Sequence, residues 1–223
     1  MQQCFHRICN PVTAFKVLDP DPGAVDGGHV LGLRFEVMSR GQFLRPYYVM
    51  LNRPYPGSGF LRVHRHTVPP AIPLAGLAAR HLPALSASSS DGSDDNMSKQ
   101  DLDRFVRTLR REIQRYHNRL GSTADLRRNL VLHQGQGEDG EASQAEDDIV
   151  QVGIADIEAK QVKLSWADER SGRLVMDDDG KVVKLMVFGP EGGRDWDTTI
   201  KLSKEGGEHI EDVVQTFQTF AKG

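Results

Sequence analysis

Two stretches of the chain dictate what the remainder must do: ALSASSSDGSDDNMS, from Ala84 to Ser98, and HQGQGEDGEASQAEDD, from His133 to Asp148. Neither carries enough apolar side chains to offset the conformational entropy lost on ordering. The first reads as a polar loop and the second as an acidic linker. They cut the 223 residues into three blocks that can bury a core, and a chain of this length suits two small domains.

The first block alternates strand-like and turn-like segments. TAFKVL (Thr13 to Leu18), HVLGLRFEVMS (His29 to Ser39), QFLRPYYVML (Gln42 to Leu51) and GFLRVHRHTV (Gly59 to Val68) are rich in β-branched and aromatic residues. Gly27-Gly28, Arg40-Gly41 and Pro54-Tyr55-Pro56-Gly57 punctuate them, which predicts a four-stranded antiparallel meander. In the second strand Leu31, Leu33, Phe35 and Val37 alternate with Val30, Gly32, Arg34 and Glu36, so one face seeks cover.

The second block supplies that cover. LRVHRHTVPPAIPL contains Pro69, Pro70 and Pro73, which cannot donate to a ladder and force the chain out of the sheet. Ile72 and Leu74 are expected to pin the crossover, followed by a short helical turn, LAGLAARHL. A long helix then begins near Ser98, whose spacing to Asp101 resembles a capping box, and ends at Gly121. Leu102, Phe105, Val106, Leu109, Ile113, Tyr116 and Leu120 form its apolar stripe. TADLRRNLVLH reads as a second, shorter helix.

In the third block DIVQVGIADIEA, KQVKLSWAD, GRLVMD and KVVKLMVFG read as strands, with Asp179-Gly180 marking a hairpin. WDTTIKL is expected to be a further strand. The final segment repeats Ile210, Val213, Val214, Phe217 and Phe220 at helical spacing. Strands followed by helices, twice, define an α+β chain with no parallel alternation. The expected limits are a first domain over 1–132, including the polar loop 84–98, an acidic linker over 133–148, and a second domain over 149–223.

Charge and motif exclude several function classes. With 28 basic and 31 acidic residues, no global field recruits nucleic acid or an anionic membrane. The two cysteines, Cys4 and Cys9, do not make a disulfide framework and suit a reducing compartment. No apolar run resembles a secretory signal or the ~20 residues of a membrane span. Phosphate-loop, dinucleotide and hydrolase-elbow motifs are absent. The DDDG at Asp177 to Gly180 lacks the ordered ligands of a calcium loop.

Two constellations carry chemistry worth weighing. His64 and His66, with Arg62 beside them and Arg65 opposite, would share a strand face. Zinc takes three or four protein ligands, and only His81 and His117 are at hand, on other elements, so no metal or other cofactor is expected. Arg104, Arg107, Arg110, Arg111, Arg115 and Arg119 line the long helix. They make a candidate phosphate-binding stripe, diluted by Asp103 and Glu112 and lacking aromatic stacking platforms. Arg62, Arg65, Arg104, Arg111 and Arg115 are the residues this reading would use.

The stretch PYYVMLNRP, then FLRVHRHTVPPAIPLAGLAARHLP and DLDRFVRTLRREIQRYHNRL, resembles the centromere protein O family in its filamentous-fungal form. IVQVGIADIEAKQVKLSWADERSGRLVMDDDGKV is similar to that family's last domain, and the likeness covers most of Tyr47 to Val183. It implies two tandem RWD-like domains, each an antiparallel meander covered on one face by helices. It also implies an inner-kinetochore subunit in the nucleus that pairs with a centromere protein P-like RWD subunit, contacts other inner-kinetochore subunits, and links centromeric chromatin to outer layers. The coiled coil usual before these domains has no counterpart in the residues quoted.

RWD folds also resemble ubiquitin-conjugating enzymes, but such an enzyme needs a thiolate after its sheet, and no cysteine follows Cys9. The chain therefore reads as a non-catalytic scaffold. The alternative is direct binding of DNA or a nucleosome through the arginine helix, residues 98–120. For the scaffold, Leu185, Val187 and Phe188 on an apolar strand, Phe217 and Phe220 on the last helix, and His64 and His66 are the expected partner contacts.

Overall fold

A computed structural model describes residues 9–55, 57–84, 99–132, 149–205, 212, 213, 215 and 216. The fold mixes helices with antiparallel sheets and divides into two compact units, Met1–Gln114 and Arg115–Gly223.

In the first unit β1 (Val12–Leu18), β2 (His29–Phe35), β3 (Met38–Ser39), β4 (Gln42–Phe43), β5 (Tyr47–Asn52) and β6 (Arg62–His66) follow in order. The sheet is β1-β2-β5-β6, the expected meander, while β3 and β4 pair as a separate two-residue ribbon. The expected second and third strands are thus each divided. Arg40 and Gly41 turn the ribbon at positive φ, 52° and 72°. Pro46, which has no N–H to give a ladder, separates β4 from β5.

The apolar alternation of β2 is realised in part: Leu33 and Phe35, with Val37 just beyond the strand, are buried, as are Val49 and Leu51 on β5, while Leu31 is half-buried and Val30 on the opposite face is buried. Gly32 serves the opposite face. A Cβ there would lie 2.5 Å from the ring of Phe15, so only glycine lets that ring lie flat on the strand. The proline corner behaves as its chemistry requires. Ile72 N–H donates to the Pro69 carbonyl at 3.1 Å, and Val68, Ile72, Leu74 and Leu77 are buried as the chain enters α1 (Leu74–His81).

Helix α2 runs unbroken from Leu102–Leu132. Its cap is Asp101, whose carboxylate accepts from the Arg104 N–H at 2.8 Å, the geometry of an N-cap; Ser98 lies outside the described residues. Gly121 does not end the helix, and the segment expected as a second helix continues the first. Phe105, Leu109 and Ile113 are buried in the first unit, whereas Leu126 and Leu130 join the core of the second.

The second unit is a meander of β7 (Ile149–Ile154), β8 (Gln161–Trp166), β9 (Ser171–Met176) and β10 (Val182–Phe188). The hairpin between β9 and β10 turns on Gly180 at φ 88°, as Asp179-Gly180 predicts. WDTTIKL is helical, however: α3 spans Trp196–Glu205. Asp195 caps it by accepting from the Thr198 N–H at 3.0 Å, and Thr198, Thr199 and Leu202 are buried at helical spacing. Farther on, Asp212, Val213, Gln215 and Thr216 are helical and Val213 is buried. Ile210, Val214, Phe217 and Phe220 lie outside the described residues, as do Cys4 and the segments 85–98 and 133–148.

Candidate interaction surfaces

The histidine strand is built differently from simple alternation. β5 and β6 slip register between Met50 and Leu51, so Arg65 faces Met50, Val63 faces Leu51, His66 faces Val49 and Arg62 faces Asn52. The bulge absorbs His64. Arg62 and Arg65 therefore share one face, and His66 falls on the other with Val63. The expectation that His64 and His66 project together with Arg62 is corrected by that extra residue.

His64 and the exposed Arg65 receive the turn after β1. His64 Nε2 lies 3.3 Å from Asp19 Oδ2, both side chains being nearly buried. Arg65 pairs with Asp21 and lies 3.6 Å from Asp19. Asn52, wholly buried, donates from Nδ2 to the Gly23 carbonyl at 2.8 Å. The Gly23 N–H, then Arg65, hold the Asp21 carboxyl below its ordinary range. His66 is exposed, with Nδ1 3.2 Å from the Val68 carbonyl. His81 and His117 are buried in α1 and α2, and among the described residues no three His, Cys, Asp or Glu side chains converge as metal ligands.

The arginines of α2 separate into two kinds. Arg104 is exposed, Arg107 pairs with Asp103 one turn away, and Arg111 lies 3.8 Å from Glu112. Arg115 and Arg119 are structural. The Arg115 guanidinium grips Asp179 through Nε at 2.8 Å and Nη2 at 3.3 Å. Arg119, only 4% exposed, donates to the Glu158 carbonyl at 2.9 Å and the Asp178 carbonyl at 2.7 Å. Lys160 closes the cluster, its Nζ 2.8 Å from Glu158 and 2.9 Å from Asp178. Those hydrogen bonds, Glu158 first, raise the Lys160 pKa, and the bond from Lys160 lowers that of Asp178. Arg115 thus anchors the β9–β10 hairpin, and a phosphate would have to compete with Asp179 for it.

On β10, Leu185 and Val187 belong to the core with Leu164, Leu174, Trp166 and Leu202. They point inward because their register partners, Leu174 and Gly172, are core-facing. Their place as partner contacts is corrected accordingly: while this unit is folded, neither side chain is presented to a partner. Phe188 is half-buried on the opposite face.

That opposite face escaped the sequence reading. Register aligns three rows across it: Gly153, Lys163, Arg173 and Met186; Gln151, Ser165, Ser171 and Phe188; and Gln161, Val175 and Lys184. Lys163, Arg173 and Lys184 are exposed, and no carboxylate occupies the rows. The described helices pack on the other side, where Leu126, Leu130 and Leu202 meet the strands. The legible signal was a cation at a central outward position of each of two adjacent strands, Lys163 in QVKLSW and Arg173 in SGRLVM.

Against known proteins, the model of the Cenp-O kinetochore centromere component family matches residues 12–217. No curated protein matches the chain in sequence.

Proposed function

The chain belongs to the Cenp-O kinetochore centromere component family, and from that premise we propose that it is a non-catalytic scaffold that pairs with a paralogous, centromere protein P-like RWD subunit. Family membership places it in the nucleus, at the centromere and kinetochore, as a structural component associated with other kinetochore subunits. The finer reading is ours. Each unit is an RWD-like domain, the second taking in the end of α2 that carries Leu126 and Leu130 as well as 149–223, and the pair of subunits links centromeric chromatin to further kinetochore subunits.

The observation that carries the proposal is a match over residues 12–217 on a chain with two units, each holding a four-stranded antiparallel meander. Phe188 and His66 remain the described candidates for partner contact, with Phe217 and Phe220 beyond them. Truncating Leu185 or Val187 would act on folding.

Co-expression with the centromere protein P-like subunit, followed by size exclusion at high salt, tests the proposal. A 1:1 complex that survives is expected, because an apolar interface persists where phosphate contacts weaken steeply with ionic strength. A chain that stays monomeric yet binds duplex DNA tightly at moderate salt would establish the arginine-helix alternative, with the exposed Arg62, Arg104 and Arg111 as its candidate contacts.

A further inference from the structure

We propose that the outer face of the β7–β10 sheet is a docking surface for an acidic peptide segment of a partner protein, one in which carboxylates alternate with apolar side chains. Lys163 and Arg173 stand directly opposite one another on adjacent strands. Like charges so placed repel. Lys184 lies in the next row, opposite Val175. Among the described residues none of the three has an acidic partner. This contrasts with Arg115, Arg119 and Lys160 at the hairpin end, which are all engaged. A surface that keeps repelling cations together without local compensation is relieved when an anionic ligand arrives.

The neighbours decide which anion. Val175, Met186 and Phe188 share the face and are half-buried, so apolar side chains adjoin the three cations. Methionine adapts to varied apolar partners. An extended peptide presents its side chains with a period of two, and strands lie about 4.8 Å apart. Carboxylates could then meet Lys163, Arg173 and Lys184 while the intervening side chains reach Met186 and Phe188. A nucleic acid is served less well. Three cations neutralise few phosphates, and only Phe188 offers a ring for stacking. The proposal does not depend on pairing with a paralogue.

The test uses the full chain and a short fluorescein-labelled peptide in which Asp and Glu alternate with Leu and Phe. Single-stranded and duplex DNA of matched charge are the competitors. Fluorescence anisotropy should show saturable peptide binding, and Lys163→Glu with Arg173→Glu should weaken it at least about tenfold. Arg127→Glu with Arg128→Glu, exposed on α2 of the same unit, should leave it unchanged. Melting curves check that the variants fold. If the glutamate pair does not fold, Lys163→Gln with Arg173→Gln removes the charge and should still weaken binding about threefold or more. No peptide binding, equal loss in the face and helix variants, or tighter binding of DNA through the same residues would overturn the proposal. Complex formation by the face variants with the paralogous subunit separates this outcome from failure of the scaffold reading.

Discussion

Arg119 shows how a side chain can resemble a ligand-binding group in sequence and be a strut in structure. Its two donors are spent on the carbonyls of Glu158 and Asp178, tying two turns of the second unit to α2. Arg119→Ala leaves both carbonyls short of a charged donor. It should cost about 2–3 kcal/mol, read as a lower denaturation midpoint. Arg119→Lys, lacking the planar fork, should recover only part of that, and a full recovery would show that charge alone matters. His117 makes a separate point. Burial lowers its pKa, so the folded state keeps the ring neutral while the unfolded chain binds a proton near pH 6.5. Stability is therefore retained above about pH 6.5 and falls as pH drops through that value toward the folded pKa, by at most about 1.4 kcal/mol per pH unit. Urea midpoints for the native chain and His117→Gln at pH 7.5 and 5.5 check this: the difference between them should narrow on acidification.

At the scale of elements, what the sequence revealed was whatever depended on local period. Strands β1, β2, β5 and β6 and the hairpin at Gly180 follow from alternation and turn chemistry. The burial of Phe105, Leu109 and Ile113 follows from the helical stripe. Features set by tertiary competition were not legible. WDTTIKL has the β-branched content of a strand, yet its capping aspartate and the burial of Thr198, Thr199 and Leu202 make it a helix. Gly121 reads as a helix end, but Thr123, Leu126 and Leu130 are buried, and their burial outweighs the ~1 kcal/mol cost of an interior glycine. The β6 bulge, which separates His64 from His66, is a property of pairing and has no signature within its own strand. Close packing between strands is similarly hidden. A Cβ at Gly172 would lie 2.7 Å from the ring of Trp166, itself 2% exposed. Gly172→Ala should destabilise by about 1–3 kcal/mol through overpacking. Adding Trp166→Phe to Gly172→Ala should lessen the effect, and a double variant no better than the sum of the singles would refute the steric account.

For the whole molecule, the distribution of core residues matters more than net charge. The core of the second unit is drawn from Leu126 to Val213, while Phe35, Val49, Leu51, Phe105 and Leu109 are buried within the first. Helix α2 contributes residues to each unit. A cavity in one core should then lower the stability of its own unit far more than that of the other. Leu164→Ala and Leu109→Ala each remove a wholly buried side chain and should each cost about 2–5 kcal/mol. Amide hydrogen exchange resolves where that loss falls. With Leu164→Ala, protection should drop across β8 and β9 and persist in β2 and β5, and Leu109→Ala should produce the reverse. Equal loss in both sheets for either variant would mean that the chain unfolds as a single cooperative body, with α2 transmitting the whole free-energy change from one core to the other.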